Sequence, residues 1–375
     1  MKQYYFTTKQ LREMQNKSFN DKVQISLSKV LEIITKTQGK IYVAYSGGKD
    51  SGVILHMVAQ AWSMTKYKEE PLTAALANTT CEYRGMLAHA KKFVKHIENE
   101  FNITINFVMT YPTKKWIDIF KEDGYPIASK QVARRVRDIR KIMEEKNISY
   151  DDIKDHLEQT VENANYLRSL GFNDSTTSYL CGILSNNEKS AQTTLLARRW
   201  LPLLYAPFKV SPVCCDYLKK KPQNEIDKKL NLSVILGELA EESKNRETAY
   251  KKTGCVNYLG KGKYKGKPLG FWTENDILEY TKWKNLPLFE YYGEIVETEN
   301  CFELTGMKRT GCKICLFGCQ FPTNGIHVLK ELEPKAYKIL LKPISQGGCG
   351  YGEVIKYLND YCGCSIDISD YEIQS

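Results

Sequence analysis

Six consecutive residues, Ser46-Gly47-Gly48-Lys49-Asp50-Ser51, carry the first chemistry in this sequence. They follow Ile41-Tyr42-Val43-Ala44-Tyr45, a β-branched and aromatic run with the composition of a buried strand. They precede Val53-Ile54-Leu55-His56-Met57-Val58-Ala59, which reads as the apolar side of a helix. A strand, a tight glycine turn and a helix start gather free backbone N–H groups at one point. Those amides and the positive helix end both favour phosphate. Gly47 and Gly48 let the backbone approach a ligand without an intervening Cβ. Ser46 and Ser51 add hydroxyl donors, and Lys49 adds a positive charge. The run is not a Walker-type loop, because Val43 stands at the first glycine position and Asp50 follows the lysine.

The second chemistry is in the sulfur. The chain has 12 cysteines, and without a secretory leader they point to metal or redox chemistry rather than to a disulfide scaffold. Adjacent Cys214-Cys215 and the pair Cys312-x-x-Cys315 can supply four thiolates. Neighbouring cysteines are awkward for one tetrahedral zinc, since successive side chains diverge, whereas a 4Fe-4S cluster offers separate iron corners. Other assignments stay open. Cys319 or Cys255 can replace one ligand, and Cys312, Cys315 and Cys319 with a fourth residue can make a structural zinc site. Cys81, Cys181 and Cys301 read as small core residues.

The elements that must position these groups alternate. Lys40 to Tyr45 predicts a strand, Asp50 to about Ser63 a helix, and Leu72 to Thr79 a second strand. Glu82 to Glu98 has helical spacing, and Ile103 to Val108 alternates as a third strand. Strand and helix in alternation imply an α/β fold with a parallel, doubly wound sheet whose ligands bind at the carboxyl ends of the strands. Asn78 and Thr79 fall at that edge, where they can touch a bound ligand or simply end the strand. Leu232 to Gly237 predicts another strand, which runs into Glu238 to Arg246. Lys261 to Lys267 reads as a basic, flexible loop, and Thr273 as a helix N-cap with Asp276 at the capping-box position. A helical insertion at about 127–206 carries Lys130, Arg134, Arg135, Arg137, Arg140 and Lys141 at helical spacing, then Arg198-Arg199-Trp200. Such a stripe is either a solvated helix face or a contact for a nucleic-acid backbone.

Hydrophobic residues make 42% of the chain and charged residues 26%, the balance of an ordinary globular protein. The start, Met1-Lys2-Gln3-Tyr4-Tyr5-Phe6-Thr7, lacks the apolar core of a signal peptide. No run is apolar for the ~18 residues a membrane span needs, so the expectation is a cytoplasmic protein with no membrane partner. The net charge of +10 suggests a polyanionic partner.

Ser46 to Ser51 resembles the SGGxDS loop of the PP-loop ATP pyrophosphatases, the adenine nucleotide alpha-hydrolase-like superfamily. Together with Cys214-Cys215, a strand ending at Gly237, Ser243, and Cys312-x-x-Cys315, the pattern is similar to the iron–sulfur type of the phosphoadenosine phosphosulfate (PAPS) reductase family, over roughly residues 40 to 320. The resemblance implies Cys214, Cys215, Cys312 and Cys315 as ligands of a 4Fe-4S cluster. It also implies Gly237, Ser243 and Arg246 as parts of a substrate loop, with Lys219 and Lys220 as basic residues after the cysteine pair. It implies an adenine nucleotide on Ser46, Gly47, Gly48, Lys49, Asp50 and Ser51, with Asn78, Thr79, Gly237 and Ser243 nearby. Lys49, Asp50 and Arg246 become the catalytic candidates, and Asp50 would help orient Mg2+ or the loop.

Two reactions follow from that resemblance. The complete loop resembles ATP-splitting members that act at the α-phosphate, adenylate a substrate and release pyrophosphate, among them tRNA- and DNA-thiolating enzymes. The alternative is thiol-dependent reduction of PAPS or adenylyl sulfate, releasing sulfite; its Glu-Cys-Gly-His-like motif is missing, leaving Cys349, Cys362 or Cys364 as the nucleophile. A third, non-catalytic reading is a nucleotide- or nucleic-acid-binding protein. Expected partners are the adenine nucleotide, tRNA or DNA through the basic insertion, and a thiol or sulfur donor protein. The expected divisions are a helical, peripheral segment 1–38, a nucleotide-binding domain 39–255 and a cysteine-rich region 256–375.

Overall fold

The computed structural model describes residues 5–372; residues 1–4, the first part of the stretch read as lacking a signal peptide, lie outside them. The chain forms two compact units, Met1–Pro112 with Leu218–Thr310, and Thr113–Tyr217 with Gly311–Ser375. These differ from the divisions at 38 and 255, because the boundaries follow packing rather than composition.

The first unit is built on strands β1 (Ile41–Ala44), β2 (Leu72–Ala77) and β3 (Ile105–Thr110). After β4 (Ile127–Ala128), which belongs to the second unit, come β5 (Ser233–Leu236), β6 (Val256–Gly260) and β7 (Lys263–Gly266). The sheet order is β3-β2-β1-β5-β7-β6. All pairs are parallel except β6 with β7. Chain order reverses between β1 and β5, which opens a crevice at their carboxyl ends. Both the Tyr45–Gly48 loop and the segment after Leu236 begin there. The doubly wound α/β expectation therefore holds. The loop expected over Lys261–Lys267 is instead largely strand, because Lys263–Gly266 is stitched to β5 as well as to β6.

Four helices follow the opening of the chain: α1 (Thr8–Gln15), α2 (Phe19–Lys36), α3 (Lys49–Ser63) and α4 (Met86–Phe101). Helix α2 is not peripheral. Its Val30, Ile33 and Ile34 are buried in the same core as Val43, Leu55 and Trp272, and each such side chain contributes about 1.5–3 kcal/mol. Its Lys22 forms a buried ion pair with Asp276 at 2.8 Å, and its Ser26 accepts from the Trp272 indole at 2.9 Å. Asp276 also completes the expected capping box with Thr273. Helix α4 begins at Met86, four residues later than Glu82 suggests, because the Glu82 carboxylate accepts from the Thr79 amide and hydroxyl.

The second unit is mainly helical, with Lys130–Lys146, Val161–Ser169 and Asp174–Cys181 from the insertion and Tyr351–Cys362 from the tail. The basic stripe divides by role. Arg135 donates to the carbonyls of Leu195 and Thr193. Arg140 donates to those of Leu203, Ala206 and Phe208, and Arg199 to those of Cys362 and Gly363. These three arginines hold irregular backbone together, while Lys130, Arg134, Arg137 and Lys141 remain on the exposed side of their helix. No helix among the described residues is long and apolar enough to cross a membrane.

Candidate functional site

The loop after β1 is shaped by packing from both sides. Gly47 has φ +81°, and a Cβ on it would lie 2.9 Å from the Met86 sulfur. Gly48 caps α3 with no side-chain hydrogen bond. Ser51 Oγ donates to the Gly48 carbonyl at 2.8 Å, accepts from the Ser46 amide at 3.1 Å, and lies 3.0 Å from Ser46 Oγ. The Lys49 amide donates to the Tyr292 hydroxyl at 3.4 Å, and that hydroxyl pairs with Thr310 Oγ1 at 2.7 Å. Among the described residues the amides of Gly47, Gly48, Asp50 and Ser51 have no hydrogen-bond acceptor. Four free N–H groups at the start of a 15-residue helix form an anion cradle.

Lys49 stands inside this cradle rather than in solvent, its side chain only 3% exposed. Its ammonium lies 3.2 Å from both Asp50 and Glu274. Burial works against the charge, but Asp50 and Glu274 outweigh it and hold the pKa above the ordinary lysine value. Arg246 belongs to the same field. Burial lowers its pKa, against the pull of Glu238 and Asp50, and Arg309 opposes it as a like charge. Its closest partner is Glu242. A crevice lined by Gly48, Lys49, His89, Phe93, Phe289 and Tyr292 opens beside the loop; burial keeps His89 below the usual histidine pKa.

The other loop-side candidates are committed to local structure. Gly237 meets the backbone of α3, and a Cβ there would fall 2.5 Å from the Asp50 carbonyl oxygen. Ser243 caps the helix Lys244–Thr253 by accepting from the Arg246 amide at 3.3 Å. Asn78 accepts from the Thr80 amide at 2.8 Å and is buried with Thr79. Sequence reasoning missed Tyr292, Thr310 and Glu274. Tyr292 lies 243 residues from its Lys49 contact, and no local motif marks it.

The four cysteines expected to act together fall in the second unit, and the reason is β4. Its flanking residue Tyr125 bridges in parallel to Val210, just ahead of Cys214, while Ile127 and Ala128 pair in parallel with Leu316 and Phe317, just after Cys315. One short strand thus brings both thiol pairs to the same place. The Cys214 thiol is raised by Cys215, by burial, and by Cys315 and Cys312. Tyr351 is fully buried beside them, its hydroxyl donating to the Ile314 carbonyl at 2.5 Å and lying in the field of Cys315 and Cys214. Among the described residues no group of three or more His, Cys, Asp or Glu is disposed to hold a single metal ion.

The alternative ligands go elsewhere. Cys255 is buried in the first unit at 3.0 Å from the Tyr250 hydroxyl. Cys319 is hydrogen-bonded to the free thiol of Cys364, with Cys362 close by. The three tail thiols differ. Burial pushes Cys349 up to about 11 and Cys362 to about 12. Cys364 is drawn down to about 7, first by its bond from Cys319 and then, against burial, by Arg199.

The profile of the phosphoadenosine phosphosulfate reductase domain matches residues 40–315, a span that takes in the loop, both cysteine pairs and every strand of the larger sheet. No curated protein matches the chain.

Proposed function

The chain belongs to the phosphoadenosine phosphosulfate reductase family, an enzyme family, and from that we propose that it binds an adenine nucleotide at Ser46–Ser51 and acts at the α-phosphate of ATP. The carrying observation is the set of four free amides of Gly47, Gly48, Asp50 and Ser51 beside the buried Lys49. A β,γ-diphosphate is what such a cradle suits. Lys49 would neutralise the departing pyrophosphate, exchanging its bonds to Asp50 and Glu274 for phosphate oxygens. Asp50, released from that pair, would help orient Mg2+, and Arg246 would balance charge at the same edge. A substrate oxygen forms the new bond to the α-phosphorus as the bridging bond to the β-phosphate breaks, and pyrophosphate leaves with the electron pair. Positioning and charge neutralisation supply the rate.

Cys214, Cys215, Cys312 and Cys315 would hold a 4Fe-4S cluster, which supplies sulfur or electron chemistry when bound. Cys214 is hydrogen-bonded to Cys215 and lies within electrostatic reach of Cys315 and Cys312, which supports this donor set. One observation favours the second reading, reduction of a sulfonucleotide by a tail thiol: Cys364, unlike Cys349 and Cys362, is shifted toward the thiolate.

Incubating anaerobically purified protein with ATP and candidate acceptors, then with PAPS and adenylyl sulfate, separates the two. Pyrophosphate release that falls ~10²–10³-fold in Lys49→Met supports the adenylating reading. Sulfite release from a sulfonucleotide, lost in Cys364→Ser and not in Cys349→Ser, replaces it. Iron and sulfide analysis tests the cluster: the expected result is iron and acid-labile sulfide in the wild type, lost in Cys214→Ala and in Cys312→Ala. Protein without iron overturns that assignment.

A further inference from the structure

We propose that the Tyr292 hydroxyl, seated by Thr310 and seconded by Glu274, is an autoinhibitory latch on the phosphate cradle. It holds the place of a phosphate oxygen until a polyphosphate displaces it. The proposal rests on the reading of Ser46–Ser51 as a nucleotide site and adds how that site is kept closed. Of the amides from Gly47 to Ser51, only that of Lys49 has an acceptor among the described residues, and the acceptor is the Tyr292 hydroxyl at 3.4 Å. A Cβ on Gly48 would lie 3.4 Å from that hydroxyl and 3.6 Å from Thr310 Oγ1. Gly48 is the N-cap of α3 and brings no side-chain cap of its own. Two hydroxyl oxygens thus stand at the mouth of the helix, where the oxygens of a bound phosphate would lie.

The same lysine is held at its other end. Its ammonium lies 3.2 Å from Glu274, so one residue is gripped by main chain and side chain at once. Glu274, Tyr292 and Thr310 all come from residues 274–310, far along the chain from the loop. The surrounding fold pins this grip in place. Tyr292 is 2% exposed. Its carbonyl accepts from the Gly306 amide at 3.0 Å, and the Tyr291 carbonyl accepts from the Met307 amide at 2.7 Å. Thr310 Oγ1 fixes the Tyr292 hydroxyl itself at 2.7 Å.

One N–H cannot serve two acceptors at full strength, so a phosphate oxygen on the Lys49 amide requires the hydroxyl to leave. The contact is long for an N–H···O bond, and a small tilt of the ring ends it. A phosphate oxygen makes a shorter, charge-assisted bond there and wins. Glu274 acts in the same direction, because its carboxylate must give up Lys49 and repels an incoming anion. The opposite role, a hydroxyl that donates to bound phosphate, predicts the opposite sign when the hydroxyl is removed.

Calorimetric titration of the full chain with inorganic pyrophosphate, and then with ATP, tests the latch. Tyr292→Phe keeps the ring and removes the hydroxyl. It should tighten pyrophosphate binding roughly 2- to 12-fold, the worth of one neutral hydrogen bond. Glu274→Gln should tighten it too. The melting temperature of ligand-free Tyr292→Phe should fall, since α3 loses its cap. A purely structural role would lower affinity along with stability, whereas a latch moves the two in opposite directions. Unchanged or weaker pyrophosphate binding by Tyr292→Phe overturns the proposal. If the wild type then still binds pyrophosphate and Lys49→Met does not, the nucleotide site stands and the latch alone falls. If neither the wild type nor the variants bind pyrophosphate or ATP, the latch and the nucleotide reading fall together.

Discussion

Gly237 lies against Asp50 so closely that a single added carbon would sit 2.5 Å from the Asp50 carbonyl oxygen and 2.9 Å from its carbonyl carbon. The end of β5 and the first turn of α3 are thereby locked together, and the anion cradle inherits its shape from that lock. Gly237→Ala should cost about 1–3 kcal/mol through overpacking, read as a lower urea midpoint. It should also weaken the proposed ATP binding, because the helix start must move. A variant of wild-type stability and affinity would show that the contact relaxes without consequence.

The Lys22–Asp276 pair ties the N-terminal helices to the helix Glu274–Trp283, both side chains being 6% exposed or less. Lys22→Met leaves a buried carboxylate alone and should destabilise the protein by about 3–5 kcal/mol. The double variant Lys22→Met with Asp276→Leu should recover part of the loss. Recovery will be incomplete, since Asp276 also caps its own helix. Denaturant unfolding of the single and double variants measures both effects.

What could be read from residue order was local. The strand–turn–helix at Ser46 and the Thr273 capping box both depend on neighbours within a few positions, and both formed as expected. The α/β class followed from alternation alone. The contacts of Tyr292, Thr310 and Glu274 with the loop depend on how distant segments return to one sheet edge, which no periodicity encodes. The N-terminal helices looked peripheral because their buried stripe is diluted by charged residues. Only the packed core reveals that Val30, Ile33 and Ile34 lie inside it. The basic stripe misled in the opposite direction, since charge at helical spacing cannot tell an arginine holding carbonyls from one facing solvent.

Arg140 makes that distinction measurable. It donates to three main-chain carbonyls, those of Leu203, Ala206 and Phe208. Arg140→Met should therefore lower stability by about 1.5–3 kcal/mol, the scale of charge-assisted bonds left unmade. It should leave nucleic-acid affinity unchanged wherever the fold persists. Thermal unfolding and anisotropy on the same sample check both statements.

The Cys319–Cys364 pair should give stability a pH signature. The bond from Cys319, helped by Arg199, holds the Cys364 thiol in the folded chain below its ordinary value of 9.0, toward about 7. Between those values the unfolded chain binds the extra proton, so stability rises as pH goes from about 7 to about 9 and is lost as pH falls through 7. Above that window Cys319, held protonated by its bond to Cys364 and by burial, reverses the trend. Urea midpoints across this range should show a rise that Cys364→Ser flattens. An identical pH profile in the variant would remove the thiolate from the account.

The place of β4 between the two thiol pairs also governs biogenesis. Synthesis at about 5–20 residues per second delivers Cys214 and Cys215 roughly 5–20 s before Cys312 and Cys315 leave the ribosome. Under the proposed 4Fe-4S assignment the early pair is, through that interval, half a binding site, exposed to stray metal and to oxidant. The yield of properly assembled protein should then track the iron supply and reducing poise of the host cell, and codon changes that slow or hasten translation between the pairs should shift it.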